Sequence, residues 1–196
     1  MRILRRADFN RMRWKNGAGW SYEIAARTPP GAPFEWRVSI ATIEQPGPFS
    51  SYEGYGRWTV LIKGQGFELD SASATSLRFS RIGQLHAYSG AIAWQCRLLG
   101  GEAWDLNLIA REGSGASMSV AELGAMPFEA GDAREGQLLF PVDAGLGIDA
   151  GAGRQSLEAW DAVMLQPGER ASLVPAAGSA RVQVAIVRLP AATALA

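Results

Sequence analysis

Phe34-Glu35-Trp36-Arg37-Val38-Ser39-Ile40-Ala41 decides the reading of this chain. Side chains alternate across an extended strand, so Trp36, Val38 and Ile40 share one face while Arg37 and Ser39 share the other. A guanidinium and a hydroxyl on one face point either to water or to the inside of a ligand cavity. Thr28-Pro29-Pro30-Gly31 before the strand and Gln45-Pro46-Gly47-Pro48 after it are sequences that neither a helix nor a central strand tolerates, so they bound it.

Working outward, Trp20 to Ala26, Arg57 to Ile62, Phe67 to Leu69, Ser76 to Ile82, Gln84 to Tyr88 and Ile92 to Leu99 read as further strands. Turn signals fall about every ten residues, the spacing of an all-β sandwich or barrel. Met1 to Phe9 reads as an edge strand, and Asn10 to Gly19 as irregular, with Asn16-Gly17 as a turn and Gly19 free to take positive φ. Trp104 to Ala110 repeats the earlier alternation, with Asp105 and Asn107 as its polar pair. Gly145-Leu146-Gly147-Ile148 echoes Gly64-Gln65-Gly66-Phe67, and Asp161 to Pro175 echoes Ser76 to Tyr88, which predicts a weak internal duplication. Two related β units are expected, residues 1–100 and 101–190, packed as one globule with a tail at 191–196. One short helix is expected around Ala116 to Leu123.

Composition narrows the function classes. With 196 residues, 19 Lys and Arg against 19 Asp and Glu, the chain is long enough for its own core and shows no footprint for nucleic acid or an anionic membrane. The basic start, Met1 to Arg6, meets Asp8 and Asn10 in place of an apolar run, and no stretch reaches spanning length. Cys96 is the sole cysteine, which fits a reducing compartment. A cytoplasmic protein is expected.

Several motifs in order resemble one family. They are Trp14-Lys15-Asn16-Gly17-Ala18-Gly19, Ser21-Tyr22-Glu23-Ile24, Phe34 to Ser39, Gly47-Pro48-Phe49-Ser50, Gly54 with Arg57, and Asp105-Leu106-Asn107-Leu108. Together they are similar to the HutD/Ves family. The resemblance implies a cupin-like fold with two β-barrel units, a bicupin, in a soluble bacterial protein. It also implies small-molecule binding with a regulatory role, and in the HutD branch an association with histidine utilisation, with no established catalytic activity. Gly17-Ala18-Gly19 replaces the family's usual three glycines, Gly56 stands where an acidic residue usually precedes Arg57, and Glu112 replaces the second arginine of the ending after Asn107.

The candidate ligand-binding residues are Lys15, Asn16, Glu23, Arg37, Ser39, Phe49, Ser50 and Arg57. A guanidinium offers a rigid fork of donors that suits a carboxylate, and an inward-facing arginine needs an anion because a lone buried charge is costly. The alternative is that Arg37 and Arg57 each pair with Glu23, Glu35 or Glu53, or simply face solvent. Asp105 and Asn107 are expected at an interface between the halves or in a second pocket. His86 is the single histidine and has no metal-ligand spacing around it, so no metal and no cofactor are expected. The expected partner is a small anionic metabolite, for which the family suggests urocanate or formiminoglutamate; self-association into a homodimer is compatible with the reading. A non-catalytic binding protein is favoured, with a metal-free isomerase or hydrolase using Glu23 or His86 as base as the alternative.

Overall fold

Alternating apolar and polar residues, β-branched runs and frequent glycine turns leave little room for helix, and the computed structural model, which describes residues 1–14 and 17–190, is almost entirely strand. In chain order the strands are β1 (Arg2–Leu4), β2 (Asn10–Arg13), β3 (Gly19–Arg27), β4 (Trp36–Ile43), β5 (Gly47–Phe49), β6 (Tyr55–Lys63) and β7 (Phe67–Ser71). They continue as β8 (Ala74–Phe79), β9 (Leu85–Ser89), β10 (Trp94–Leu98), β11 (Ala103–Arg111), β12 (Ser117–Leu123) and β13 (Phe128–Ala130). The last are β14 (Glu135–Pro141), β15 (Leu146–Asp149), β16 (Arg154–Leu157), β17 (Ala162–Leu165), β18 (Ala171–Pro175) and β19 (Val182–Pro190). Among the described residues the one helical element is a 3-10 turn at Arg6–Asp8. The helix expected at Ala116 to Leu123 is the strand β12, paired along its length with β19, so sheet pairing overrides a weak local preference.

The chain divides into two compact units, Phe9–Ser114 and Met1–Asp8 with the chain from Gly115 onward. The division therefore falls fourteen residues beyond the expected 100/101 boundary, because β11 pairs on both sides with β4 and β6 and belongs to the first unit. The tail at 191–196 lies outside the described residues.

In the first unit a six-stranded antiparallel sheet runs β2-β3-β4-β11-β6-β9, and a four-stranded sheet runs β5-β10-β7-β8. Ile43, Leu61 and Ala103 from the larger sheet pack with Phe49, Phe67, Leu69, Phe79, Trp94 and Cys96 from the smaller, so the apolar core lies between them. Phe67 stacks on Phe79 with ring centroids 4.4 Å apart. Gly66 enters this contact with φ +104°, and a Cβ there would sit 1.8 Å from the Phe79 carbonyl oxygen, so only glycine fits. At Gly19 the requirement is close approach, not positive φ: a Cβ would lie 1.9 Å from the Thr42 carbonyl oxygen, while Gly17 is the residue with φ +71°. Residues 10–13, expected to be irregular, form β2 against β3.

The other unit is built by the same device. A five-stranded sheet β1-β17-β14-β19-β12 and a four-stranded sheet β13-β18-β15-β16 enclose Leu139, Val163, Val184, Leu146, Ile148 and Leu173, among others. The amino-terminal segment is sewn into it, since β1 pairs antiparallel with β17 and Arg5 Nη1 donates to Asp161 Oδ2 at 2.7 Å. Asp161 is 4% exposed and also accepts from the Arg6 N–H at 2.9 Å and the Glu158 N–H at 3.1 Å.

Candidate functional site

The strand alternation of β4, β6 and β11 sets the site. Register pairs Ile109 with both Arg37 and Arg57, Asn107 with both Ser39 and Thr59, and Asp105 with Ala41 and Leu61. Because paired residues point to the same side of a sheet, these rows place two guanidiniums and a short polar ladder on one face. That face forms a wall of a cavity of about 530 Å³ in the first unit. Ser21 and Trp14 enter from the β3 side, and Pro48, Phe49, Ser50 and Tyr52 from β5 and the loop after it.

Arg57 is 6% exposed. Its Nη1 donates to the Ser50 carbonyl at 3.1 Å and its Nη2 to Asn107 Oδ1 at 3.2 Å. Phe49, Tyr52 and Tyr88 surround its guanidinium at 5.4, 5.8 and 5.5 Å from the ring centroids. Arg37 donates from Nη2 to the Tyr52 hydroxyl at 3.0 Å and lies over the Phe34 ring at 5.0 Å. Among the described residues neither arginine has a carboxylate within 4.0 Å, and the Nε of each is buried without a hydrogen-bond partner. The pairing with Glu35 is ruled out because that carboxylate holds Arg27 at 3.0 Å.

Asn107 is the hub of the polar ladder. Its Oδ1 accepts from Arg57 and from the Thr59 hydroxyl at 2.9 Å, and its Nδ2 donates to Asp105 Oδ1. Thr59 also bonds the Tyr88 hydroxyl at 2.8 Å. Asp105 is 0% exposed at the cavity floor, and its Oδ2 has no partner. Burial pushes its carboxyl up to about 7, against the opposing pull of Arg57 and of the Asn107 amide. Burial also raises the Tyr88 hydroxyl, although Arg57 pulls the other way, and lifts the Cys96 thiol to about 12.

Of the expected ligand-binding residues, the fold gathers Arg37, Ser39, Phe49, Ser50 and Arg57 around one cavity. Lys15 and Asn16 lie outside the described residues. Glu23 pairs in register with Ser39 but is not part of the lining; β3 is bulged immediately after it, and no ion pair joins it to Arg37. Asp105 and Asn107, expected at an interface or in a second pocket, line the same cavity as Arg57, because β11 lies between β4 and β6. His86 is held by the Gln84 amide at 3.2 Å and the Arg78 carbonyl at 3.0 Å, edge-on to Phe79, and is outside the cavity lining. Neither base considered for an enzyme therefore faces this space. Tyr52, Thr59 and Tyr88 were missed; Thr59 follows Arg57 on the same strand face, which is the signal that finds it. Among the described residues no cluster of three metal-ligating side chains occurs, and no helix is long and apolar enough to cross a membrane.

In the other unit an open depression of about 460 Å³ is lined by Glu129, Asp149, Arg154 and Arg170. Glu129, Arg154 and Arg170 are exposed, so their charges are solvated.

The family model for HutD matches residues 6–183. The chain belongs to the HutD family. An uncharacterised 21.2 kDa protein in the hutC 3′ region of Pseudomonas putida is 40% identical over 113 residues, covering 56% of this chain and 57% of the relative. Protein Ves of Escherichia fergusonii is 33% identical over 99 residues, covering 50% of this chain and 51% of that one. The chain thus spans about half the length of the curated relatives it matches. Among solved structures, a conserved protein of unknown function from Pseudomonas aeruginosa PAO1 is 31% identical with a TM-score of 0.83, covering 97% of this chain and 98% of that one. HutD from Pseudomonas fluorescens SBW25 is 26% identical with a TM-score of 0.78, covering 97% and 99%. Oxalate decarboxylase from Lactobacillus farciminis, 9% identical with a TM-score of 0.65 and covering 96% of this chain and 86% of that one, shares the cupin-like fold alone.

Proposed function

We propose that the cavity of the first unit binds a small carboxylate metabolite, and that the chain acts as a non-catalytic binding protein in the regulation of histidine utilisation. The observation that carries this reading is the pair of guanidiniums, Arg37 and Arg57, which face one cavity with no carboxylate partner among the described residues. A cation taken out of water calls for an anion, and a guanidinium offers a carboxylate two parallel donors. Ser39, Ser50 and the Tyr52 hydroxyl stand close enough to the pair to orient the rest of a ligand, with Phe49 and Tyr52 as apolar walls. The pathway rests on family membership and on the relative encoded beside hutC. Urocanate and formiminoglutamate are carboxylates of suitable size.

The test is a thermal-shift screen of the purified protein against these acids, because a ligand that binds the native state alone raises the unfolding midpoint by mass action. A saturable shift that Arg37→Ala abolishes is the expected result. An unchanged shift in that variant removes Arg37 from the site, and no shift with any carboxylate overturns the binding reading.

A further inference from the structure

The charges that the described residues bring to the cavity do not balance. Among the described residues its lining carries Arg13, Arg37, Arg57 and Asp105. Arg13 is already neutralised by Glu44 at 2.8 Å and also donates to the Gly17 carbonyl at 2.5 Å. Two guanidiniums and one carboxyl remain. A monocarboxylate would complete neutrality with Asp105 ionised, whereas a dicarboxylate would complete it only with Asp105 protonated. In a site of low dielectric a surplus charge is expensive, so the protonation of Asp105 is tied to the charge of the ligand.

The surroundings of Asp105 allow it to change state. Ala41 of β4 and Leu61 of β6 flank it in register and carry no charge. The titratable or charged groups that reach it are Arg57 from β6, Tyr88 from β9 and Cys96 from β10, and Asn107 on its own strand holds Oδ1. Tyr88 and Cys96 keep their protons through the neutral range, since burial raises both. Oδ2, with no partner and closed from solvent, is the atom that can carry a proton without breaking a bond. Asp105 acts through its charge at the cavity floor and needs no direct contact with the ligand.

We propose that Asp105 is the proton-accepting counter-charge of this cavity, so that a small dicarboxylate is bound together with one proton. The proposal rests on the carboxylate-binding reading above and adds to it a ligand class and a linkage. Titration calorimetry on the whole chain tests it, with glutarate and butyrate as probes from pH 6.5 to 9 in buffers of different ionisation enthalpy. Both probes hold constant charge in that range. The expected result is a glutarate affinity that falls about tenfold per pH unit above the Asp105 midpoint, with close to one proton taken up at pH 8. Butyrate affinity shows no such fall and is flat above the Asp105 midpoint, and Asp105→Asn removes both the slope and the proton uptake for glutarate. A glutarate affinity that is flat or rises with pH overturns the proposal, as does binding of butyrate without glutarate. If neither acid nor any other carboxylate binds, the carboxylate reading itself falls. Proton uptake in the unmodified protein decides the matter even where Asp105→Asn does not fold.

Discussion

Arg57 is stripped of most of its water by folding and receives in return a backbone carbonyl, an amide oxygen and three aromatic faces, but no carboxylate. Under the proposed carboxylate binding such a residue serves the ligand more than stability, since a buried cation with no carboxylate in contact contributes little or costs free energy. Arg57→Met is therefore expected to leave urea-unfolding stability within about 1 kcal/mol of the parent, or to raise it, while carboxylate affinity falls by about 100-fold or more. Asp105 makes a second prediction at this scale. Its folded-state carboxyl titrates at about 7, above the 3.8 of an unperturbed aspartate, so the native state binds more protons than the unfolded chain between those values. Ionising it as pH rises through that window removes stability from the ligand-free protein, by up to about 4 kcal/mol. Asp105→Asn has no such titration, so its advantage in melting temperature over the parent should be absent near pH 4 and fully developed at pH 8. Calorimetric scans across that range check it. The inward face of Arg37 and Ser39 was legible in the alternation of one short stretch. The place of Asp105 and Asn107 was not, because it depends on β11 entering between β4 and β6, a pairing set by residues more than forty positions away.

At the scale of elements, the strands around the cavity were readable where apolar and polar residues alternate cleanly, as in β4, β6 and β11. Reading failed at β12, where Met118, Val120 and Leu123 allow more than one period and the deciding partner, β19, lies some sixty residues further on. The tight turn between β6 and β7 carries a prediction of its own. Gly66→Ala places a Cβ against the Phe79 carbonyl at a positive φ, and neither backbone can yield without disturbing the Phe67 and Phe79 stack. A loss of about 3 kcal/mol or more is expected in denaturant unfolding. The Gly101→Ala change, in open space though also at positive φ, should cost less.

For the whole molecule, the decisive fact is that the chain order of the two units is interleaved: Met1–Asp8 is built into the unit that begins at Gly115. Local periodicity cannot show this, since β1 is only three residues long and its partner β17 is remote. Asp161 fastens the arrangement, and the hydrogen bonds it accepts outweigh its burial and hold its carboxyl below the usual range. Its contribution is present at neutral pH and is lost as pH falls through that lowered value. Asp161→Ala should cost about 2–4 kcal/mol at pH 7, with amide protection lost first in Ala162–Leu165. The same pairing has a consequence during synthesis. Residues 2–4 leave the ribosome well before residues 162–165 exist, an interval of roughly 10–30 s at ordinary elongation rates. Throughout it the nascent chain carries residues 2–4 without their partner strand, so a bulky fusion ahead of them is expected to slow completion of the five-stranded sheet.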